Sequence, residues 1–275
     1  MSIARSVTNH NESSASGSTI AVVLNSIPAN SHVVLSVGCL DAQTISGVAD
    51  DLSVAATGPD KEIDDAGNTL RKAVWHYENY GGGNRTFTVT FSAAVTFRSI
   101  VAMAYTGVAT SSSKDGIAGQ EATGASLTST NLSPAPSLDG ELIVGIGIAS
   151  SGVPTPVSPL AEVFSNTVDG SDTSDYIQPT HAAFAAQWTQ SGASDYGALA
   201  VSFFPAASSA TVTGAPLLSQ AFHPPRQLKG VLSMLMRAMA DGLNRTSVTP
   251  VTVTIRQRKT LSPTGNHVGG RQRRN

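Results

Sequence analysis

Along residues 1–207, apolar and polar positions alternate or run continuously apolar in short stretches, broken by Gly, Ser, Pro and Asn. Ser18–Leu24 (STIAVVL) and His32–Cys39 (HVVLSVGC) are β-branched and apolar, which predicts two strands separated by a segment containing Pro28. Arg71–Tyr80 alternates, placing Val74, His76 and Glu78 on one face and Ala73, Trp75 and Tyr77 on the other. Arg85–Ser92 alternates more cleanly, with Phe87, Val89 and Phe91 inward and Thr86, Thr88 and Thr90 outward. Between these two, Gly81–Gly83 and Asn84 predict a hairpin connection. Thr96–Tyr105 and Glu141–Ala149 are nearly continuous apolar runs, the pattern of strands covered on both sides. Ala182–Gln190 and Gly197–Phe204 close the series, and Ser111–Ser113, Ser133–Ser137 and Ser150–Pro159 read as loops. With roughly ten short strands and no helical period between them, the prediction is an all-β, jelly-roll-like two-sheet sandwich rather than a seven-stranded immunoglobulin type.

The pattern changes after Pro205. Residues 208–275 read as a C-terminal arm: a small-residue linker, one amphipathic helix over about 225–243, a short strand over about 247–256, and a basic tail. Leu228, Val231, Leu232, Leu235 and Met239 recur at helical spacing, with Arg226, Lys229 and Arg237 mostly on the other side. Pro225 and Gly242 sit where a helix starts and stops. Pro250 marks the following strand as an edge strand. A helix this short is marginal alone, so its apolar face needs a partner: its own sandwich, sister copies or a different protein.

Charge sharpens the division. The whole chain has a formal net charge of −2, but residues 1–207 hold 7 Lys+Arg against 18 Asp+Glu, whereas residues 208–275 hold 10 Lys+Arg against Asp241 alone. A basic arm on an acidic body argues for docking on an acidic surface. Arg271, Arg273 and Arg274 make too short a basic run to argue for nucleic acid. No apolar run is long enough to cross a membrane as a helix, and the first residues, MSIARSVTNHNESSASGS, lack the apolar core of a secretory signal. The single cysteine, Cys39, rules out an intrachain disulfide and a cysteine-based zinc site.

Catalytic signatures are missing. There is no G-x-S-x-G elbow and no H-E-x-x-H, and the six histidines show no ligand-spaced pair. Gly145-x-Gly147 lies inside a strand, without the third glycine and helix of a dinucleotide loop. The expectation is a chain with no enzymatic activity and no cofactor. Asp169, Asp172 and Asp175 offer carboxylates to Ca²⁺, as do Asp60, Glu62, Asp64 and Asp65, but neither set has the spacing of a dedicated loop. Both sets read first as solvated acidic turns. Trp75 and Trp188 fall within apolar-alternating strands and read as core, against a sugar-stacking role.

The order of elements carries a resemblance. An Asp65-Ala66-Gly67-Asn68-Thr69 turn precedes AVWHY, then GGGNR, then TFTVTFS, and IVAMAYTGVATSSSKDG, SLDGELIVGIGIAS and AAQWTQSGASDYGALAVSFFP follow. Over about residues 15–206 this resembles the jelly-roll-like domains of tailed-bacteriophage virion proteins, in head decoration or tail, and of some bacterial surface proteins. Tyr105–Val108 corresponds to the end of a central strand in that group. The resemblance implies a non-enzymatic structural protein of the virion, assembled in the host cytoplasm, and carries over no catalytic residue. Its partners would be other capsid or tail proteins and sister copies, reached through the arm, with no membrane. The alternative is a carbohydrate-binding module, with Tyr80, Tyr176 and Tyr196 exposed on loops as contacts to host surface glycan.

Overall fold

The computed structural model describes residues 2–207, apart from 41, 42, 66, 68 and 69. The predicted helix, strand and docking residues of the arm therefore lie outside the described residues. What is described falls within one compact unit, Met1–Ala210. It is all-β: fourteen strands and no helix among the described residues, in antiparallel sheets.

The described residues form three sheets, one more than the sequence pattern suggested. The middle sheet has the order β1 (Ala4–Ser13), β8 (Arg98–Thr106), β3 (Ser31–Leu40), β6 (Leu70–Tyr80), β5 (Thr57–Asp64). On one face of it lies an outer sheet, β2 (Gly17–Ile27), β7 (Gly83–Val95), β4 (Ile45–Asp50). On its other face lies a sheet from the second half of the chain. The order there is β11 (Thr155–Pro156), β14 (Gln187–Phe203), β10 (Glu141–Ala149), β13 (Ser171–Gln178), β12 (Ala161–Asn166), with β9 (Lys114–Thr128) paired to β14.

The middle layer explains the continuous apolar runs. Strands β3 and β8 bury nearly every residue because alternate side chains enter two different cores. Val33, Leu35, Val37, Ala73, Trp75, Tyr77, Ile100 and Ala102 face the outer sheet and its Phe87, Val89 and Phe91. Val34, Val74, Val101, Met103 and Tyr105 face the second-half sheet and its Leu142, Val144, Ile146, Leu199 and Val201. The predicted faces of Arg71–Tyr80 and Arg85–Ser92 are as observed, and both tryptophans are core: Trp75 in the first cluster, Trp188 in a third.

Three expectations need correction. Gly81–Gly83 does not close a hairpin: β6 pairs with β3 and β5, and β7 with β2 and β4, so this segment carries the chain from one sheet to another. Gly82 makes the crossing with φ +83, and a Cβ there would stand 2.8 Å from the Ile27 carbonyl oxygen, so only glycine fits. Ala182–Gln190 and Gly197–Phe204 are not two strands of those bounds, because β14 runs unbroken from Gln187 to Phe203. The acidic segments are not solvated turns either: DGSDTSD and PDKEIDDAGN supply most of β13 and β5, with Asp60, Asp65, Asp169 and Asp172 buried.

The two halves of the chain are wound alike. In the middle sheet the first strand lies beside the last, followed by the third and then a hairpin (β1·β8·β3·β6·β5). In the second-half sheet β9·β14·β10·β13·β12 repeats this order. The outer sheet also has a reduced counterpart. Residues 129–132 run beside 184–186 through Ser129 N–H to Ala186 O and Leu132 N–H to Phe184 O bonds, as β2 runs beside β7. Strand β11 pairs with Thr189 and Trp188, as β4 pairs with β7. The inward Phe184, Ala186 and Trp188 then take the place of Phe87, Val89 and Phe91.

Candidate functional site

Chemistry-bearing side chains concentrate where the two halves meet. Strand β6 turns Lys72, Val74, His76 and Glu78 toward the second-half sheet, and β13 turns Thr173 and Asp175 toward the middle sheet. A row of buried polar contacts between the halves results, beside the apolar row contributed by β3, β8, β10 and β14.

At one end is a lysine–aspartate centre. Lys72, Gly38 and Ser99 are cross-strand neighbours on β6, β3 and β8. Because residue 38 is glycine, the lysine side chain lies flat across the middle strand: a Cβ at Gly38 would stand 2.3 Å from Lys72 Cδ. Lys72 Nζ thereby reaches Ser99 Oγ at 2.6 Å and, from the β12–β13 turn of the other half, Asp169 Oδ2 at 2.6 Å. Ser99 Oγ donates to the same carboxylate oxygen at 2.5 Å, and Ser171 Oγ donates to Asp169 Oδ1 at 2.6 Å. Asn166 Oδ1 accepts the Val168 and Asp169 backbone N–H groups, which fixes the turn that aims Asp169 inward. The lysine and aspartate side chains are only 1% and 0% exposed. Burying both charges costs several kcal/mol per ion before attraction is counted, so the geometry has to be good for the pair to persist. Asp169 also lines a cavity of about 260 Å³ with Leu40, Leu70, Ser150 and Thr167.

Further along the same face is a histidine pair. His32 and His76 stack at 5.1 Å between ring centroids, and Phe203 of β14 tilts against His32 at 4.6 Å. His76 Nδ1 meets Asp60 Oδ2 at 2.5 Å, and Asp60 Oδ1 meets Lys114 Nζ of β9 at 3.1 Å. Glu78 accepts from the Ser112 and Ser113 backbone N–H groups and from Ser113 Oγ. Burial of Glu78 works against its charge, but these bonds prevail and hold its carboxyl below the usual range. Both ring nitrogens of His32 are buried without a partner, and burial, then the charge of His76, pushes it down to about 3.

The three aspartates proposed for Ca²⁺ do not converge. Asp169 pairs with Lys72. Asp175 accepts from Tyr105 Oη at 2.8 Å and Arg5 Nη1 at 3.2 Å. Asp172 points to the opposite side of β13, where Trp188 Nε1 donates to it at 2.8 Å and Ser174 Oγ also donates. Burial raises Asp172 to about 6, against the pull of those two bonds. Among the described residues no group of three or more His, Cys, Asp or Glu is placed to hold a metal ion.

The tyrosines are also redistributed. Tyr80 and Tyr196 lie within β6 and β14 and are buried, so their expected exposure on loops is corrected: both face inward to fill cores. Tyr80 Oη donates to Asp50 at 2.6 Å. Tyr176 is half-buried in β13 and stacks on Phe184 at 5.6 Å. The lysine–aspartate centre and the histidine pair were missed in the sequence because their members are 97 and 44 positions apart. The available signal was polar residues at inward positions of strands, Lys72 and His76 on the Val74 face. Comparison with known proteins finds no matching family model, no matching curated protein and no matching solved structure.

Proposed function

We propose that the chain is a non-enzymatic bacteriophage virion structural protein, decorating the capsid or associated with the tail, with a jelly-roll-like body and a basic arm that anchors it to partner proteins or sister copies. The observation that carries this reading is the winding of β1–β8. The pairs β1·β8, β2·β7 and β3·β6, with β8·β3 and β7·β4 side by side, are what rolling one long antiparallel hairpin into two facing sheets produces. Only the fourth pair departs: β4 meets the residues before β5 through the single bridge Ala49–Ala55, and β5 then joins β6. Most of the polar groups between the halves, Lys72, Ser99, Asp169, His76, Asp60 and Glu78 among them, are tied up in bonds to one another or to backbone, which favours a structural role over chemistry on a substrate. The charge contrast between body and arm supplies the anchoring logic, and assembly in the host cytoplasm is part of the same proposal.

The test is the solution mass by light scattering of the full chain beside a chain ending at Ala207. Self-association confined to the full chain supports anchoring to sister copies. Incorporation of a Leu232→Asp, Leu235→Asp variant into particles at the normal level overturns anchoring by the arm. The glycan-binding alternative keeps Tyr176 alone of its three tyrosines near the surface.

A further inference from the structure

We propose that Lys72 and Asp169 condense into an amide, an isopeptide bond that ties the two halves of the body together covalently. The parts for that reaction are in place and no co-reactant is needed. The pair is direct, with Nζ 2.6 Å from Oδ2, and sealed, at 1% and 0% exposure. Transfer of one proton from Nζ to Oδ2 along this direct contact removes both buried charges at once, leaving an amine and a carboxylic acid. The Nζ lone pair then attacks Asp169 Cγ. Negative charge develops on Oδ1, where the Ser171 hydroxyl already donates at 2.6 Å. The C–Oδ2 bond breaks as Oδ2 takes its second proton from Nζ through Ser99 Oγ, which touches both atoms at 2.6 Å and 2.5 Å. One C–N bond forms, one C–O bond breaks, and one water leaves into the cavity that Asp169 lines.

Elsewhere on the same face stands a natural contrast. Lys114 and Asp60 are also close, at 3.1 Å, but the Lys114 side chain is 41% exposed, so that contact is open to water and is expected to stay uncondensed. The position of the proposed bond is also informative. The chain has one cysteine, so no disulfide within it can join the halves, and Lys72–Asp169 spans 97 residues from β6 to the β12–β13 turn.

The experiment is intact-mass measurement and peptide mapping of the folded full chain. The expected result is a mass about 18 Da, one water, below that of the sequence, with a branched peptide joining Lys72 to Asp169 and no tryptic cleavage after Lys72. Lys72→Met and Asp169→Ala should each restore the mass of their own sequence. Ser99→Ala should slow bond formation roughly 100-fold, as loss of a proton relay does. A full chain at the sequence mass overturns the proposal. So does a loss of one water that persists in Lys72→Met, since the Asp169-Gly170 sequence can lose water alone by closing to a succinimide. If a variant fails to fold, the peptide map of the natural chain still decides.

Discussion

The first half of the body, β1–β8, and the second, β9–β14, follow one winding order, yet they finish it differently. In the first half the outer layer is a full sheet, with β2 and β7 running 11 and 13 residues. In the second it shrinks to residues 129–132, the two-residue β11 and the start of β14. The reduced layer still covers β10, because one large side chain replaces a sheet's worth of small contacts. Trp188 lies over Gly145 and Gly147, where a Cβ would stand 2.9 Å and 2.8 Å from its ring. The comparison teaches that the winding order tolerates loss of a layer provided that the apolar face of the larger sheet stays covered, and that the two larger sheets cover each other.

The largest effect should follow from separating the halves. Each alone exposes the apolar face it now shares, Val34, Val101 and Met103 on one side and Val144, Ile146 and Val201 on the other. Contiguous exposed apolar surface of this kind is what soluble domains avoid. Residues 1–110 and 111–207 made separately should show no cooperative thermal transition, whereas the two made together should assemble one to one. A fragment that melts cooperatively alone would make the halves independent domains. The assembled pair also sharpens the amide proposal: a condensed Lys72–Asp169 bond keeps the two pieces joined in denaturant.

Next in size is the replacement of a layer by a single ring. Trp188→Ala should cost about 4 kcal/mol in chemical denaturation, the usual toll for emptying a fully buried aromatic site. Phe91→Ala, at the matching position of the first half, should cost less, because β2, β7 and β4 form a sheet that survives around the gap. Equal costs would show that the reduced layer is as robust as the complete one.

The particular residues show why some of this was legible in the sequence and some was not. Glu141–Ala149 is β10 to the residue, and the inward phenylalanines of β7 lie as alternation predicted, since both signals are local. The third sheet was hidden because a central layer buries both faces of its strands, and a continuous apolar run does not say what lies on either side. Strands β5 and β13 were hidden because their acids meet partners distant in sequence: Asp60 meets Lys114, and Asp175 meets Arg5. Composition marks such segments as turns, and only the tertiary pairing makes them strands.

Buried titratable groups in the two halves should give opposite pH slopes, one from Asp172 in the second half and one from His32 in the first. Its folded value of about 6 lies above its ordinary 3.8, so the native state holds the proton more tightly. The stability from that proton is complete below pH 3.8 and lost as pH rises through 6, about 3 kcal/mol in all. Asp172→Asn keeps an oxygen for Trp188 Nε1 and cannot ionise. Its stability relative to the natural chain should therefore rise by most of that amount between pH 4 and pH 7.5. Parallel denaturation curves for the two proteins would show that Asp172 is ionised throughout.

His32 in the first half works the other way. Its folded value of about 3 lies below the ordinary 6.5, so the unfolded chain takes up a proton that the native ring refuses. Stability is full above pH 6.5 and falls as pH drops, by about 2 kcal/mol at pH 5. The cause is placement: neither ring nitrogen has a partner, and the ring is held among His76 and Phe203, so a phenylalanine there gives up no hydrogen bond. His32→Phe should therefore remove this acid sensitivity, narrowing the gap in melting temperature between pH 8 and pH 5. His76→Phe should not do the same, because it strips Asp60 of its hydrogen-bond partner at 2.5 Å and leaves a buried carboxylate with Lys114 alone. If His32→Phe keeps the full acid loss, the ring is protonated in the folded protein, and the face between the halves must open enough there to hydrate it.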